Sequence, residues 1–376
     1  MKVAVLKETR ANETRVGLVP EGVKFLKKKG FDVVVEKGAG IVAGFPDAAF
    51  EAEGATLAPD AAATVKGAEI VLKVLPPTLA EVGILEKGQI LVSSLVPLAN
   101  LDLVRALNDA GVTTMAMELM PRITRAQTMD ILSSQATVAG YKAVLLGANT
   151  IGKFLPMLTT AAGTVRPART LVLGAGVAGL QALATFRRLG AQMEAFDVRP
   201  AVKEQVQSLG AKFLEMDLSQ DMEDAGGYAK ELSQDQHEKE LELIAGSIKD
   251  ADVVVSTAQI PGKKAPTLIT RAMVESMKPG SAIVDLAAET GGNCELTRAG
   301  ETVVHNGVNI LGPVNLPASM PYHASQMFSK NLVTFVMEMV DKEGKLNLNW
   351  DNEVLAGVCV TFQNEIRHGP SREALA

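Results

Sequence analysis

Residues 121–135 read PRITRAQTMDILSSQ. Gln127, Asp130 and Ser134 recur at spacings of three and four, which on a helix is one face, with Ser133 beside it and Arg122 just ahead of the first turn. Thr124 followed three residues later by Gln127 fits a capping box, so the helix is expected to open here. A cation, an amide, a carboxylate and two hydroxyls crowd beside the apolar Met129, Ile131 and Leu132. A merely solvated face does not need them there, and together they are equipped to hold a polar ligand.

A second constellation lies in LVLGAGVAGLQA, residues 171–182. A strand-like run leads into Gly174, Gly176 and Gly179 and then into a helical pattern. Such glycines allow a tight turn and the close approach of a pyrophosphate, which rests on the helix N-terminus. The next strand-like run ends in Asp197, 23 residues after Gly174. A carboxylate at that offset accepts hydrogen bonds from an adenosine ribose and repels a 2′-phosphate, so NAD(H) is the expected nucleotide. Arg199 pulls the other way, because an arginine there accommodates a 2′-phosphate; it equally suits stacking on adenine.

Other charged residues are candidates for chemistry. Arg10 and Arg15 follow the first strand in KETRANETRVGLVP, and Lys73 interrupts the apolar run EIVLKVL. A buried ammonium requires a partner. Arg15 and Lys73 are expected either to be satisfied internally or to bind a carboxylate substrate between two domains. Asp285 ends the run AIVDLA, where it either faces a nicotinamide or caps a strand end; Glu289 is expected at the surface.

The elements that position these residues follow from periodicity. Short Val/Ile/Leu-rich runs at 3–6, 32–35, 69–75, 89–95 and 113–118 read as strands, with helices at 20–30 and 101–111 between them. A loop at 160–168 precedes a second series of strands at 170–176, 192–198, 212–216, 252–258, 282–287 and 309–312. Apolar strands alternating with helices predict parallel sheets covered on both faces. The expected fold is α/β, with two Rossmann-like doubly wound domains separated by a cleft. The long apolar helix at 325–340 needs a partner surface and is expected to return to the first domain. That makes the first domain discontinuous, 1–135 plus 316–376, and leaves 136–315 as the nucleotide-binding domain.

Composition sets the class. The chain has 376 residues, 47% hydrophobic and 21% charged, with a net charge of -6, which excludes a nucleic-acid footprint. Two cysteines give no disulfide framework, and four histidines without a Cys/His cluster give no zinc site. No secretory leader and no apolar run of membrane-spanning length are visible, so a cytoplasmic chain is expected.

The combination KETR…ETRVGL, VLKVLPP and a late GAGVAG turn resembles the family of alanine dehydrogenase and the NAD(H)-binding component of proton-translocating transhydrogenase. MPRITRAQTMDILSSQATVAGY, DVRP and AGGYAKEL resemble its transhydrogenase alpha-subunit branch, and the likeness covers essentially the whole chain. The resemblance implies an Arg-Gln-Asp group at the nicotinamide end of the nucleotide, here Arg122, Gln127 and Asp130 with Ser133. It implies cofactor contacts from Gly174, Gly176, Val177, Ala178 and Gly179, from Asp197, Val198 and Arg199, and from Ala258 and Gln259. The segment 217–250 holds ten acidic and three basic residues. By the resemblance, its portion around Gly227 and Tyr228 is a loop closing over NAD(H); the residues after Lys230 read as a solvated helix.

The same likeness implies an enzyme that passes hydride from NADH directly to NADP⁺, active only with partner subunits. Those partners supply the NADP(H) site and the membrane-spanning proton path, and the chain is an alpha-1 type subunit, a homodimer, peripheral to the cytoplasmic membrane. Alanine dehydrogenase is the competing reading, since Arg15, Lys73 and Asp285 match its substrate-binding and acid/base positions. It also needs a histidine after the fourth strand to exchange a proton with the keto acid. SSLVPLAN (93–100) has none, and all four histidines lie in the second half of the chain. A non-catalytic NAD sensor is a third reading; it has no use for the Arg-Gln-Asp group.

Overall fold

The computed structural model describes residues 1–216, 233–260 and 263–376. The chain divides into two compact units, one of Met1–Gln135 with Pro317–Ala376 and one of Ala136–Leu316. In chain order the strands are β1 (Lys2–Val5), β2 (Asp32–Glu36), β3 (Thr56–Ala58), β4 (Ile70–Leu72), β5 (Ile90–Ser93) and β6 (Thr113–Ala116). The hairpin of β7 (Leu158–Thr160) and β8 (Gly163–Val165) follows, then β9 (Arg169–Leu173), β10 (Gln192–Phe196), β11 (Lys212–Leu214), β12 (Val253–Ser256), β13 (Ala282–Asp285), β14 (Thr302–His305) and β15 (Val308–Leu311). The chain closes with β16 (Cys359–Phe362) and β17 (Glu365–Ile366).

In the first unit the sheet order is β17-β16-β6-β5-β4-β1-β2-β3, parallel from β6 to β3. Successive side chains alternate faces. Val3, Val5, Ile70, Leu72, Ile90 and Val92 thus share one core with Phe328, Leu332, Phe335 and Val336 of the helix Pro321–Glu338. Ala4, Val71 and Leu91 share the other with Leu103, Val104 and Leu107 of the helix Leu101–Asp109. The buried serines of the long helix have a purpose: Ser325 Oγ accepts from Val16 N at 3.0 Å and Ser329 Oγ from Val19 N at 3.1 Å. A Cβ on Gly22 would fall 2.6 Å from Ser329 Oγ, so only glycine lets the helix Pro20–Lys28 approach this closely.

In the second unit the order is β11-β10-β9-β12-β13-β15-β14, with only β14 antiparallel. Reading β9, β10, β11, β12 and β13 as the first five strands gives the order 3-2-1-4-5, with the reversal between β9 and β12. The strand centres are short, mostly apolar runs buried on both faces, as interior parallel strands must be.

Two expectations need correction. Thr124 makes no capping bond, and Thr124–Met129 is a 3-10 turn. Its buried Ala126 and Met129 sit three apart, the period of that helix. The α-helix starts at Ile131 and runs to Thr150. The predicted loop at 160–168 contains a portion of the β7–β8 hairpin. In the tail, β16 pairs antiparallel with β6 and turns into β17 through Gln363 and Asn364, both at positive φ. Two such residues form the mirror-image turn that matches hairpin twist.

Candidate functional site

The polar group of 121–135 is positioned by the core of the first unit. Ala126 and Met129 anchor the 3-10 turn from below, and Asn331 Nδ2 holds the Thr128 carbonyl at 2.8 Å. Arg122 and Gln127 are left exposed. Asp130 does the capping that Thr124 was expected to do: Oδ1 accepts from Ser133 N at 3.0 Å and Oδ2 from Ser133 Oγ at 2.6 Å. So Asp130 and Ser133 are joined at the N-terminus of the helix. Ser134 turns to its own helix, donating to Ile131 O at 3.1 Å, whereas Gln127 belongs to the preceding 3-10 turn.

Arg15 and Lys73 are buried and held by carboxylates of this chain. Arg15 Nε and Nη2 donate to the two oxygens of Glu13 at 2.8 and 2.7 Å, and Nη1 donates to Gln135 Oε1 at 2.9 Å. Gln135, unnoticed in the sequence, passes the contact on to Ala324 O at 3.1 Å. Lys73 lies just past β4 with Nζ 2.9 Å from Glu81 and 3.4 Å from Glu8. Burial raises the Glu8 carboxyl above its ordinary value, outweighing the pull of Lys73 and the Val74 N–H. Burial acts in the same sense on Glu81, but the Thr78 N–H and Lys73 overcome it and its pKa falls. Thr78 and Glu81 form a complete capping box, which fixes Glu81 toward the lysine.

Past β5, where a proton-exchanging histidine was sought, the chain holds Val96 at φ 48°. A β-branched residue in the left-handed region is strained by about 1–3 kcal/mol. Glu118, also missed in the sequence, accepts from Leu95 N at 3.0 Å and from Val96 N, and so fixes the bend. Burial raises the Glu118 carboxyl.

In the second unit the glycine turn joins β9 to the helix Val177–Arg188. Gly174 has φ 92°, and its Cβ would stand 2.7 Å from Thr257 Oγ1. A Cβ on Gly179 would stand 1.8 Å from the Gly174 carbonyl, so that position admits nothing larger. A Cβ on Gly176 would meet nothing within 4 Å. Gly176 is the N-cap and no side chain caps the helix, so its first amides, beside the half-exposed Val177 and the Ala178 backbone, face open space. That cradle fits a phosphate group.

Asp197 stands past β10, 8% exposed and surrounded by donors. Ala175 N donates to Oδ2 at 2.7 Å and Arg199 N to Oδ1 at 2.8 Å, and the Arg199 guanidinium closes on both oxygens. Val198, between them, is partly buried. Past β12, Thr257 Oγ1 donates to the Gly174 carbonyl at 3.0 Å, Ala258 is gripped by Asn293, and the exposed Gln259 donates to Leu286 O at 2.9 Å. Gly227 and Tyr228 lie outside the described residues.

Asp285 is engaged within its own chain. It is fully buried, and its oxygens accept from Ser256 Oγ, Ala287 N, Asn293 N, Cys294 N and Thr297 Oγ1 at 2.6–3.1 Å. It ties the loop after β13 to the sheet. Glu289 is at the surface as expected. The Cys294 thiol is pushed up to about 11 by burial, which leaves it inert near neutrality. Among the described residues no group of three or more His, Cys, Asp or Glu is arranged to hold a metal. Nor is any described helix long and apolar enough to cross a membrane.

Comparison with known proteins agrees with this architecture. Residues 4–139 match the family Alanine dehydrogenase/PNT, N-terminal domain, and residues 143–369 match Alanine dehydrogenase/PNT, C-terminal domain. The chain is 49% identical over 376 residues to an NAD(P) transhydrogenase subunit alpha chain of Rhodospirillum rubrum, covering 98% of each chain. It is 34% identical over 368 residues to the alanine dehydrogenase of Halomonas elongata, covering 96% of this chain and 93% of that one. Among solved structures it is similar to the transhydrogenase from Sinorhizobium meliloti, with a TM-score of 0.89 at 45% identity over 97% of this chain and 100% of that one. With both halves matched and such identities over nearly the full length, the chain belongs to the alanine dehydrogenase/PNT family.

Proposed function

We propose that this chain is the NAD(H)-binding alpha-1 subunit of a proton-translocating NAD(P)⁺ transhydrogenase. Bound NADH supplies a hydride that leaves its nicotinamide C4 with both electrons and adds to C4 of NADP⁺ on a partner subunit, with no proton exchanged at either ring. The chain then has to bind, orient and exclude water. Gly174, Gly176 and Gly179 admit the pyrophosphate to the amides of the helix Val177–Arg188. Asp197 accepts the adenosine ribose hydroxyls, and Ala258 and Gln259 line the other half of the site. Gln127 orients the nicotinamide or its ribose, and Arg122 and Asp130 exchange partners around it, with Ser133 holding Asp130. Partner subunits supply the NADP(H) site and the membrane-embedded proton path, and the subunit works as a homodimer at the cytoplasmic face.

The observation that carries this reading over amino-acid dehydrogenation is the charged cluster of the first unit. Arg15 and Lys73 are already bound to Glu13, Glu81 and Glu8. The four imidazoles are engaged elsewhere, His237 with Glu240, His305 with Glu275, His368 with Ser371 and His323 edge-on to Tyr322. A keto acid therefore finds neither a free cation of that pair nor a histidine acid in this cluster. The test is an assay of the purified chain with NADH, pyruvate and ammonia. No NADH oxidation is expected. Turnover would assign the chain to alanine dehydrogenation.

A further inference from the structure

Both backbone groups of Ala258 are held by one side chain. Asn293 Oδ1 accepts the Ala258 N–H at 3.1 Å, and Asn293 Nδ2 donates to the Ala258 carbonyl at 2.9 Å and to Pro266 O at 2.8 Å. A primary amide carries an acceptor and two donors in one plane, so it pairs with a residue's backbone as a neighbouring strand would. Asn293 is itself fully buried, and its own N–H donates to Asp285 Oδ2 at 2.7 Å. The loop wraps round that carboxylate through Gly292, at φ 79°, where a Cβ would stand 2.9 Å from Asp285 Oδ2. The chain of contacts therefore runs from the end of β13, through Asp285 and Asn293, to Ala258.

The residue before Ala258 completes the arrangement, because Thr257 Oγ1 donates to the Gly174 carbonyl at 3.0 Å. Residues 257–259 are thus tied to the glycine turn on one side and to the Asp285 loop on the other. In a doubly wound sheet the dinucleotide straddles the point where strand order reverses, one mononucleotide over each half. Asp197 follows β10 and belongs to the adenosine half, whereas Ala258 and Gln259 follow β12, across the reversal.

We propose that Asn293 and Asp285 are positioning residues for the nicotinamide-mononucleotide half of the site, acting through Ala258 and Gln259 without touching the ligand. The assignment rests on the nucleotide-binding reading given above. Without the Asn293 amide, the Ala258 N–H and carbonyl lose their partners and the segment shifts to find water. Only the half of the ligand over β12 then loses contacts.

The test is binding to the full chain of NADH, followed by fluorescence, and of ADP, followed by calorimetry. Asn293→Ala is expected to weaken NADH about tenfold while ADP stays within about twofold. A second pair covers the case in which that variant fails to fold. Thr297 Oγ1 donates to Asp285 Oδ2 at 2.6 Å. Thr297→Val keeps the shape and removes the donor, and is expected to weaken NADH about threefold with ADP unchanged. Thr297→Ser restores the hydroxyl and is expected to restore NADH affinity. Equal weakening of NADH and ADP, or wild-type NADH affinity in the variants, would overturn the assignment. A wild-type chain that binds neither ligand would overturn the nucleotide reading itself, whereas one that binds both, with variants that do not separate them, overturns only the positioning role.

Discussion

Arg199 folds back onto Asp197, with Nε 2.9 Å from Oδ1 and Nη2 2.8 Å from Oδ2. The carboxylate that should receive a ribose is therefore already saturated, and a ribose diol has to displace the guanidinium. Asp197→Ala removes the ribose acceptor and releases a cation suited to a 2′-phosphate. We expect NADH affinity to fall about tenfold and NADPH affinity to hold or rise. Titration of the two reduced nucleotides by fluorescence reads the ratio; a parallel loss of both would show that Asp197 does not select between them.

Gly176 and Gly179 differ in the space beside them. A methyl group at 176 meets no protein atom, whereas at 179 it collides with the Gly174 carbonyl. Gly176→Ala should keep the wild-type melting temperature and lose NADH binding. Gly179→Ala should lose both, with a stability loss of about 1–3 kcal/mol typical of overpacking. Calorimetry with and without NADH distinguishes them, and retained binding in Gly176→Ala would remove the pyrophosphate from this turn.

Glu8 gives a pH signature. Its folded-state pKa lies above the ordinary 4.5, chiefly through burial. A group raised on folding lends stability that is complete below its unfolded value and is lost as pH rises through its folded value. Glu8→Gln mimics the protonated form and is spared that loss. The melting temperature of the variant relative to wild type should therefore climb as pH rises from 4.5 toward neutrality. A difference that is constant with pH would mean that Glu8 does not titrate in this window.

Gln127 and Asp130 lie three residues apart and should respond differently. Gln127 is exposed on its turn, so Gln127→Asn should leave stability within about 0.5 kcal/mol and NADH binding intact while hydride transfer falls. Asp130 caps the helix Ile131–Thr150 through Ser133, so Asp130→Ala should also cost about 1 kcal/mol of stability. Melting curves beside single-turnover kinetics separate the two. Wild-type transfer rates in Gln127→Asn would remove it from the reaction.

The interior parallel strands were legible because they are written as short apolar runs, whereas β3, β14, β16 and β17, which are short or pair antiparallel, were not expected. The helix start was misread. Thr124–Gln127 and Thr78–Glu81 carry the same capping pattern, yet only the second forms, because Asp130 offers a better cap six residues after Thr124. The β14–β15 turn through Asn306 and Gly307 and the β16–β17 turn through Gln363 and Asn364 both left a local signal in residues that tolerate positive φ. Asp285 was ambiguous for a different reason. A carboxylate at a strand end looks the same in sequence whether it meets a ligand or the amides of its own loop, and only the fold brings Asn293 and Thr297 to it. The partners of Lys73 were likewise hidden, because Glu8 lies on a separate segment that packing alone brings near.

Hydride transfer from NADH to an oxidised NADP analogue, measured with this chain alone and again after adding the NADP(H)-binding component of a transhydrogenase, tests the central claim most directly. The account predicts no transfer by the chain alone and rapid transfer once the component is present. Absence of transfer in the reconstituted mixture, with both nucleotides shown to be bound, would contradict it.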